Sequence, residues 1–284
     1  MYKTLIDVQT LAENLDDPNW VIVDCRFSLA DTAVGYQNYQ TAHIPGAVYA
    51  HLDDDLSGPP ATDHGRHPLP TPQRLAQLFS QLGIDEMSQV VAYDDVGGMI
   101  AARLWWMLRY MGHEAVAVLD GGWQAWQTPV LSKAEATVLP TISGVESNDA
   151  AQFNGRPQAN WLVTLDDVAN RPLLIDSRSA ERYRGETEPL DSQAGHIPSA
   201  LNLPFANHLD NGRFRSSDEM RTTLTAVLGQ KSGDKVTFYC GSGVSACVNL
   251  LAMTHAGLGN GRLYVGSWSE WSSNPERPIA TGSE

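Results

Sequence analysis

The chain contains itself twice. Val21-Ile22-Val23-Asp24-Cys25-Arg26 recurs as Leu173-Leu174-Ile175-Asp176-Ser177-Arg178, and Ala42-His43-Ile44-Pro45-Gly46-Ala47 recurs as Gly195-His196-Ile197-Pro198-Ser199-Ala200. Further on, Val91-Ala92-Tyr93-Asp94 recurs as Thr237-Phe238-Tyr239-Cys240, and Gly121-Gly122-Trp123-Gln124-Ala125-Trp126 recurs as Gly266-Ser267-Trp268-Ser269-Glu270-Trp271. The order is kept with small changes in spacing, so the 284 residues divide into two copies of ordinary domain length. A duplication is also an internal control. Asp24/Asp176, Arg26/Arg178 and His43/His196 stand in both halves and read as strand-end and loop anchors of the fold. Cys240 stands in one half only, opposite Asp94, and Arg182 stands opposite Ala30. These two are candidates for function.

Each half alternates short apolar runs with helix-type segments. Val21–Val23, Ala47–Tyr49, Val90–Tyr93 and Ala115–Leu119 read as strands. Thr71 and Pro72 read as the cap and first position of a helix, and Ala101–Met111 as a second helix ended by Gly112. This pattern predicts an α/β chain of two tandem domains, each a mainly parallel sheet with helices on both faces. Residues 127–160 carry little periodicity and much Pro, Ser, Thr, Gly and Ala. The expected division is a first domain over 1–135, a connector over 136–158 that drapes over a domain, and a second domain over 159–284.

Residues 240–247, Cys-Gly-Ser-Gly-Val-Ser-Ala-Cys, lie between the strand-type run Val236-Thr237-Phe238-Tyr239 and the helix-type run Ala246 to Met253. In open α/β sheets ligands gather at the carboxyl ends of strands, where Cys240 is placed. A cysteine at a helix N-terminus meets outward-facing amides and a dipole that favours its thiolate. Gly241 and Gly243 let the backbone curl into an anion-binding nest. The loop suits a thiolate or a persulfide. Cys247 reads as a small core residue of the following helix, with a Cys240–Cys247 redox pair as the alternative.

Composition narrows the class. With 42% hydrophobic residues the chain can fill two cores. A formal net charge of −14 argues against nucleic acid or an anionic membrane surface as partner. No run approaches the ~20 apolar residues of a membrane span, and Met1 to Asp7 lack a leader pattern. Three cysteines make no disulfide framework and point to the cytoplasm, and no Cys/His cluster has metal-ligand spacing.

The duplicated Asp-x-Arg, (Gly/Ala)-His-Ile-Pro and Trp-x-x-Trp blocks, with a strand-Cys-loop-helix in the second half alone, resemble the tandem-domain rhodaneses over nearly the whole chain. The loop Cys240-Gly241-Ser242-Gly243-Val244 resembles the 3-mercaptopyruvate sulfurtransferase branch. The resemblance implies an enzyme that takes a sulfane sulfur from 3-mercaptopyruvate onto Cys240 and passes it to a thiophilic acceptor such as cyanide or a thiol. It implies no cofactor, and a thioredoxin-type reductant is a further candidate partner. The amides of Gly241, Ser242, Gly243, Val244 and Ser245 would stabilise the sulfur anion, with the hydroxyls of Ser242 and Ser245 as added donors. Capping of the next helix is the competing role for Ser245.

Arg182, followed by Tyr183, matches the family's Arg-aromatic pair that holds the donor anion. The branch also carries a second Arg nine residues on, where this chain has Asp191. The expectation is therefore a high Michaelis constant for mercaptopyruvate, improved by Asp191→Arg. The branch's proton-relaying acid and His map onto Asp53 and His67, lent by the first domain, with Asp54, Asp55 and His64 as competitors. Thiosulfate is the alternative donor, although thiosulfate-preferring relatives carry a basic pair after the cysteine. A non-catalytic sulfur carrier is a distant alternative. A cysteine phosphatase would need Arg where Ala246 stands.

Overall fold

Runs of Val, Ile, Leu and Ala bounded by turn residues form short strands buried on both faces, as a parallel sheet requires. The computed structural model describes residues 1–59, 64–132, 135–229, 231 and 233–283; residue 284, the expected end of the second domain, lies outside them. By its contacts the chain forms two units. One is Met1–Leu56 with Pro70–Pro157 and Gly212–Phe214; the other is Ser57–Leu69 with Gln158–Asn211 and Arg215–Glu284.

In the first unit β1 (Leu5–Ile6), α1 (Val8–Ala12), β2 (Trp20–Asp24), α2 (Val34–Thr41), β3 (Ala47–Tyr49), α3 (Pro72–Gln81), β4 (Gln89–Tyr93), α4 (Ala101–Tyr110), β5 (Val116–Leu119) and α5 (Gly122–Gln127) follow in turn. The five strands are parallel, in the order β1-β5-β4-β2-β3. One face, with Ile22, Val91, Tyr93, Ala117 and Leu119, packs on Val8 and Leu11 of α1 and on Trp123 and Trp126 of α5. The alternate residues Val21, Val23, Val90, Ala92, Val116 and Val118 are buried on the opposite face. α4 packs on β4 and β5 and every one of its residues is buried, which explains why its sequence is apolar all round apart from Arg103 and Arg109. Thr71 caps α3 by accepting from the Arg74 amide, with Pro72 in its first turn. Met111 lies just past α4, as its C-cap residue.

The low-periodicity stretch holds more order than its composition suggests. β6 (Val130–Ser132) and β7 (Glu135–Thr137) form an antiparallel pair. The chain then lies along the first unit: Ile142 bridges His43, the Ala151 amide donates to Ser80 O at 2.9 Å, and Phe153 meets Phe79 edge-on at 5.0 Å.

The second unit repeats the plan with β8 (Leu162–Val163), α6 (Leu165–Val168), β9 (Leu173–Asp176), α7 (Ala180–Arg184) and β10 (Leu201–Asn202). Short strands β11 (Leu209–Asp210) and β12 (Arg213–Phe214) follow, then α8 (Ser217–Leu228), β13 (Val236–Tyr239), α9 (Ala246–His255), β14 (Arg262–Tyr264) and α10 (Ser267–Trp271). Its sheet runs β8-β14-β13-β9-β10, the first unit's order copied strand for strand and again parallel. The register matches too. Asp24 pairs with Tyr93, and Asp176 with Tyr239, so Asp94 and Cys240 each leave the central strand at its carboxyl end.

His208 is wholly buried in the second unit, and burial pushes its pKa down to about 4. An unfolded histidine titrates near 6.5, so between pH ~6.5 and ~4 the unfolded chain binds a proton that the folded chain refuses. Stability from this group should be present above pH ~6.5 and fall as pH drops, by on the order of 3 kcal/mol. Thermal melts across that range should show the slope, and His208→Gln should flatten it; an unchanged slope in the variant would assign the acid sensitivity to other groups.

Candidate active site

The site is built on the end of β9. Asp176 accepts from the Arg178 amide at 2.9 Å, and its carboxylate takes Nε and Nη2 of Arg178, the latter at 2.6 Å. Nη2 also donates to Gly195 O at 2.6 Å, and the guanidinium lies 4.7 Å from the Trp268 ring. Asp24, Arg26, Ala42 and Trp123 repeat this arrangement in the first unit. His196 and His43 each bond a tyrosine carbonyl through Nδ1 at 2.7 Å, and each stacks on that tyrosine. The shared residues are thus anchors of the fold.

The two loops differ in a telling way. In the first unit the buried Asp94 carboxylate accepts from four amides, those of Val96, Gly98, Ile100 and Ala101, at 2.7–2.9 Å. Burial still holds its carboxyl above the ordinary value, with the amides opposing. In the second unit Cys240 takes that place. Its amide donates to Ser267 Oγ at 3.1 Å, and its carbonyl accepts from Trp268. Among the described residues, the matching amides of Ser242, Val244 and Ala246 donate to no protein acceptor. Gly243 has φ 76°, and a Cβ there would lie 2.4 Å from Val265 O, so only glycine lets the loop turn back on β14's exit. Ser245 precedes α9 without capping it through its side chain, so that competing role is not taken up. Cys247 is buried on α9 with Sγ 3.5 Å from Gly243 O, and burial pushes the Cys25 thiol well up.

His67 is the surprise. The sequence assigns it to the first domain, yet the described residues 57–59 and 64–69 pack as part of the second unit. There Nδ1 of His67 and Oγ of Ser242 are 2.7 Å apart, both residues buried. His64, its competitor, faces Glu270 at 3.8 Å instead. The segment is held by contacts a sequence reading does not list: the Gly58 amide donates to Pro68 O, the Arg66 amide donates to Ser269 Oγ, and Gly65 lies close against Gly266. One signal was available. Gly65-Arg66-His67 matches Gly212-Arg213-Phe214, and that second segment packs with the first unit, where the Phe214 amide donates to Asp120 at 2.7 Å. Asp53 belongs to the first unit, partly buried in the turn after β3, and burial raises its carboxyl.

Arg182, on α7, is held by Glu188 through Nη2 at 2.6 Å and Nε at 3.3 Å. Glu188 also takes Arg178 at 3.0 Å. Asp191 pairs with both Arg182, at 3.2 Å, and Arg66. An ideal Cβ on Gly241 would lie 3.2 Å from Arg66 Nη2 and 3.4 Å from Arg182 Nη1, so two guanidinium groups border the residue after the cysteine. Sequence reading missed Arg66. The pairing of Asp191 with both arginines reverses the expectation for Asp191→Arg, since a third guanidinium at this buried position would remove the shared carboxylate of the other two. Among the described residues no group of three or more His, Cys, Asp or Glu side chains could hold a metal ion. No helix there is long and apolar enough to cross a membrane.

Known proteins share this plan. Residues 7–129 and 159–274 each match the model of the rhodanese-like domain. A Pseudomonas aeruginosa protein named "Probable 3-mercaptopyruvate sulfurtransferase" is 43% identical over 286 residues, 98% of each chain. The Escherichia coli "3-mercaptopyruvate sulfurtransferase" is 36% identical over 281 residues, 95% of each chain. The solved "3-mercaptopyruvate sulfurtransferase from Leishmania major" superposes with a TM-score of 0.83 at 33% identity, covering 95% of this chain and 74% of that one.

A fragment of residues 158–284 lacks the 57–69 segment and leaves Ser242 without His67. It should fold poorly, and adding sulfur donors should not load its cysteine. A fragment as stable and as readily loaded as the full chain would show that the segment is dispensable.

Proposed function

The chain belongs to the rhodanese-like family, with two such domains in tandem, and on that premise we propose that it transfers a sulfane sulfur from 3-mercaptopyruvate to a thiophilic acceptor through a persulfide on Cys240. The observation that carries this reading is the pair of loops. One loop turns four amides on its own carboxylate, Asp94; the other has Cys240 in that place, and of the four matching amides those of Ser242, Val244 and Ala246 have no protein acceptor among the described residues, while that of Cys247 donates to Val244 O. A carboxylate is a fair stand-in for a sulfur anion, since both accept several amide hydrogens at once.

In the first half-reaction the Cys240 thiolate attacks the donor sulfur. The Sγ–S bond forms, the donor C–S bond breaks, and the electron pair leaves on the enolate of pyruvate, which takes up a proton. The amides of Gly241, Ser242, Gly243, Val244 and Ser245 stabilise the persulfide without a cofactor. The Ser242–His67 pair holds the proton that the enolate needs, at a spacing suited to general acid–base work. Asp53 is the acid proposed to complete that relay. In the second half-reaction the acceptor, cyanide or a thiol, attacks the outer sulfur; the S–S bond breaks and the thiolate returns. Arg182 contacts the donor carboxylate. Three free cysteines support the cytoplasm as the compartment, with a thioredoxin-type protein as a candidate reductant there.

Cys240→Ser should abolish turnover. Intact mass of the wild type after donor should rise by one sulfur and fall back with cyanide, and the variant should not gain it. Undiminished turnover in Cys240→Ser would overturn the mechanism. With cyanide as acceptor in both assays, 3-mercaptopyruvate should outperform thiosulfate. The loop after Cys240 carries no basic side chain of its own, so a dianion gains less there. A far better rate with thiosulfate would move the chain to the other donor and leave Cys240 chemistry standing.

A further inference from the structure

The branch arrangement of two arginines on one stretch of chain is absent here, because Asp191 stands at the second position. We propose that Arg66 supplies the second cation for the donor's carboxylate, and that Asp191 is the positioning residue that holds Arg66 and Arg182 together at the mouth of the Cys240 loop. This rests on the sulfurtransferase reading and deepens it: the site is built for an α-keto carboxylate gripped from two sides.

Four observations converge. Asp191 is 4% exposed and gives one oxygen to each arginine, so both guanidinium groups are tethered to one buried point. Nη2 of Arg66 and Nη1 of Arg182 both border Gly241, and a side chain at that residue would fill the space between them. Arg66 retains 29% exposure at its side chain, while its buried Nε has no acceptor among the described residues, which leaves donor capacity on the guanidinium. Arg66 also adjoins His67, so one short segment carries both the residue on Ser242 and a cation beside Gly241. Arg182, by contrast, already spends Nε and Nη2 on Glu188 and Asp191, and alone it offers little more than Nη1.

Asp191 is then an exchange rather than a loss. A chain with Arg at 191 has its second cation there; this chain takes it from residue 66 and uses 191 as the counter-charge. The high Michaelis constant expected from the missing arginine is offset by Arg66.

The test separates binding from chemistry. Arg66→Met keeps an unbranched apolar stem and removes the guanidinium charge. It should raise KM for 3-mercaptopyruvate, and Ki for pyruvate as a competing anion, by about tenfold or more, the size of one charge-assisted hydrogen bond. Discharge of preloaded persulfide to cyanide should stay within about twofold, because that step has no carboxylate to hold. Arg66→Lys should recover part of the loss. Asp191→Arg alone should weaken donor binding, and in the Arg66→Met background it should restore binding. A readout independent of turnover is alkylation of Cys240, followed by peptide mass, with iodoacetate and with neutral iodoacetamide. Arg66→Met should lower the iodoacetate-to-iodoacetamide rate ratio; an equal loss for both reagents would reduce Arg66 to a structural residue. Unchanged KM, Ki and rate ratio would overturn the proposal. If the wild type fails to use mercaptopyruvate at all, the donor assignment falls, while pyruvate protection and the alkylation ratio still judge Arg66.

Discussion

The buried pair of Asp176 and Arg178 is the interaction on which the rest of the site depends. A carboxylate and a guanidinium, both nearly inaccessible to water, are tolerable only with full hydrogen bonding. Arg178 meets that demand by reaching outward in three directions. It bonds Gly195 O, which fixes the His-Ile-Pro loop; it lies on Trp268, which fixes α10 beneath the cysteine loop; and it bonds Glu188. α10 in turn closes on that loop, since the amides of Trp268 and Ser269 donate to the carbonyls of Cys240 and Gly241. The position of Cys240 is thus set by a strand on one side and, through Arg178 and α10, by the end of the neighbouring strand on the other.

The first unit has the same pair with Asp94 in place of Cys240, so the pair goes with the fold of the loop and does not decide which residue follows the strand. Arg26 repeats the contacts to a carbonyl and a tryptophan, but no glutamate in the described residues extends it as Glu188 extends Arg178. The difference propagates. With Glu188 come Arg182, Asp191 and Arg66, an alternating row of charges that ends beside Gly241. Without them Asp94 neutralises its own amides. Duplication left one copy with its loop amides closed on a carboxylate, Asp94, and the other with a cysteine in that place.

Much of this was legible in the sequence, for physical reasons that also mark where reading stops. Strand positions such as Ala47–Tyr49 and the Thr71-Pro72 helix start follow from local patterning and capping, which act over a few residues. Cys240, Ser242 and the glycines declare themselves because a nest is a local backbone motif. Comparing the halves separated Asp176 and Arg178 from Cys240 without any coordinates. What escaped was long-range. Apart from the repeat of Gly65-Arg66-His67 as Gly212-Arg213-Phe214, no local pattern near Arg66 or His67 says that their segment packs with a unit whose main body begins about ninety residues later. Asp191 was conspicuous in the sequence only as the wrong charge, because its partners lie on α7 and on that distant segment. The composition of 127–160 suggested a connector draped over a domain but not which domain; its backbone bonds Tyr39, Gln40 and Ser80 of the first unit.

The charge balance around Gly241 explains why Asp191 and Arg66 belong together. Arg66, Arg178 and Arg182 face Asp176, Glu188 and Asp191, three cations against three anions within one hydrogen-bonded row. Replacing Asp191 by Arg while keeping Arg66 would leave four cations against two anions in a region of low exposure, and like charges at such spacing repel strongly when solvent is excluded. Removing Arg66 while keeping Asp191 would leave a buried carboxylate facing the arriving donor carboxylate with Arg182 alone to offset it. Each single change is therefore unfavourable, whereas the paired change leaves three cations against two anions, one net positive charge to meet the donor carboxylate. Two positions far apart in sequence are coupled through one buried carboxylate, and the identity of residue 191 has meaning only together with that of residue 66.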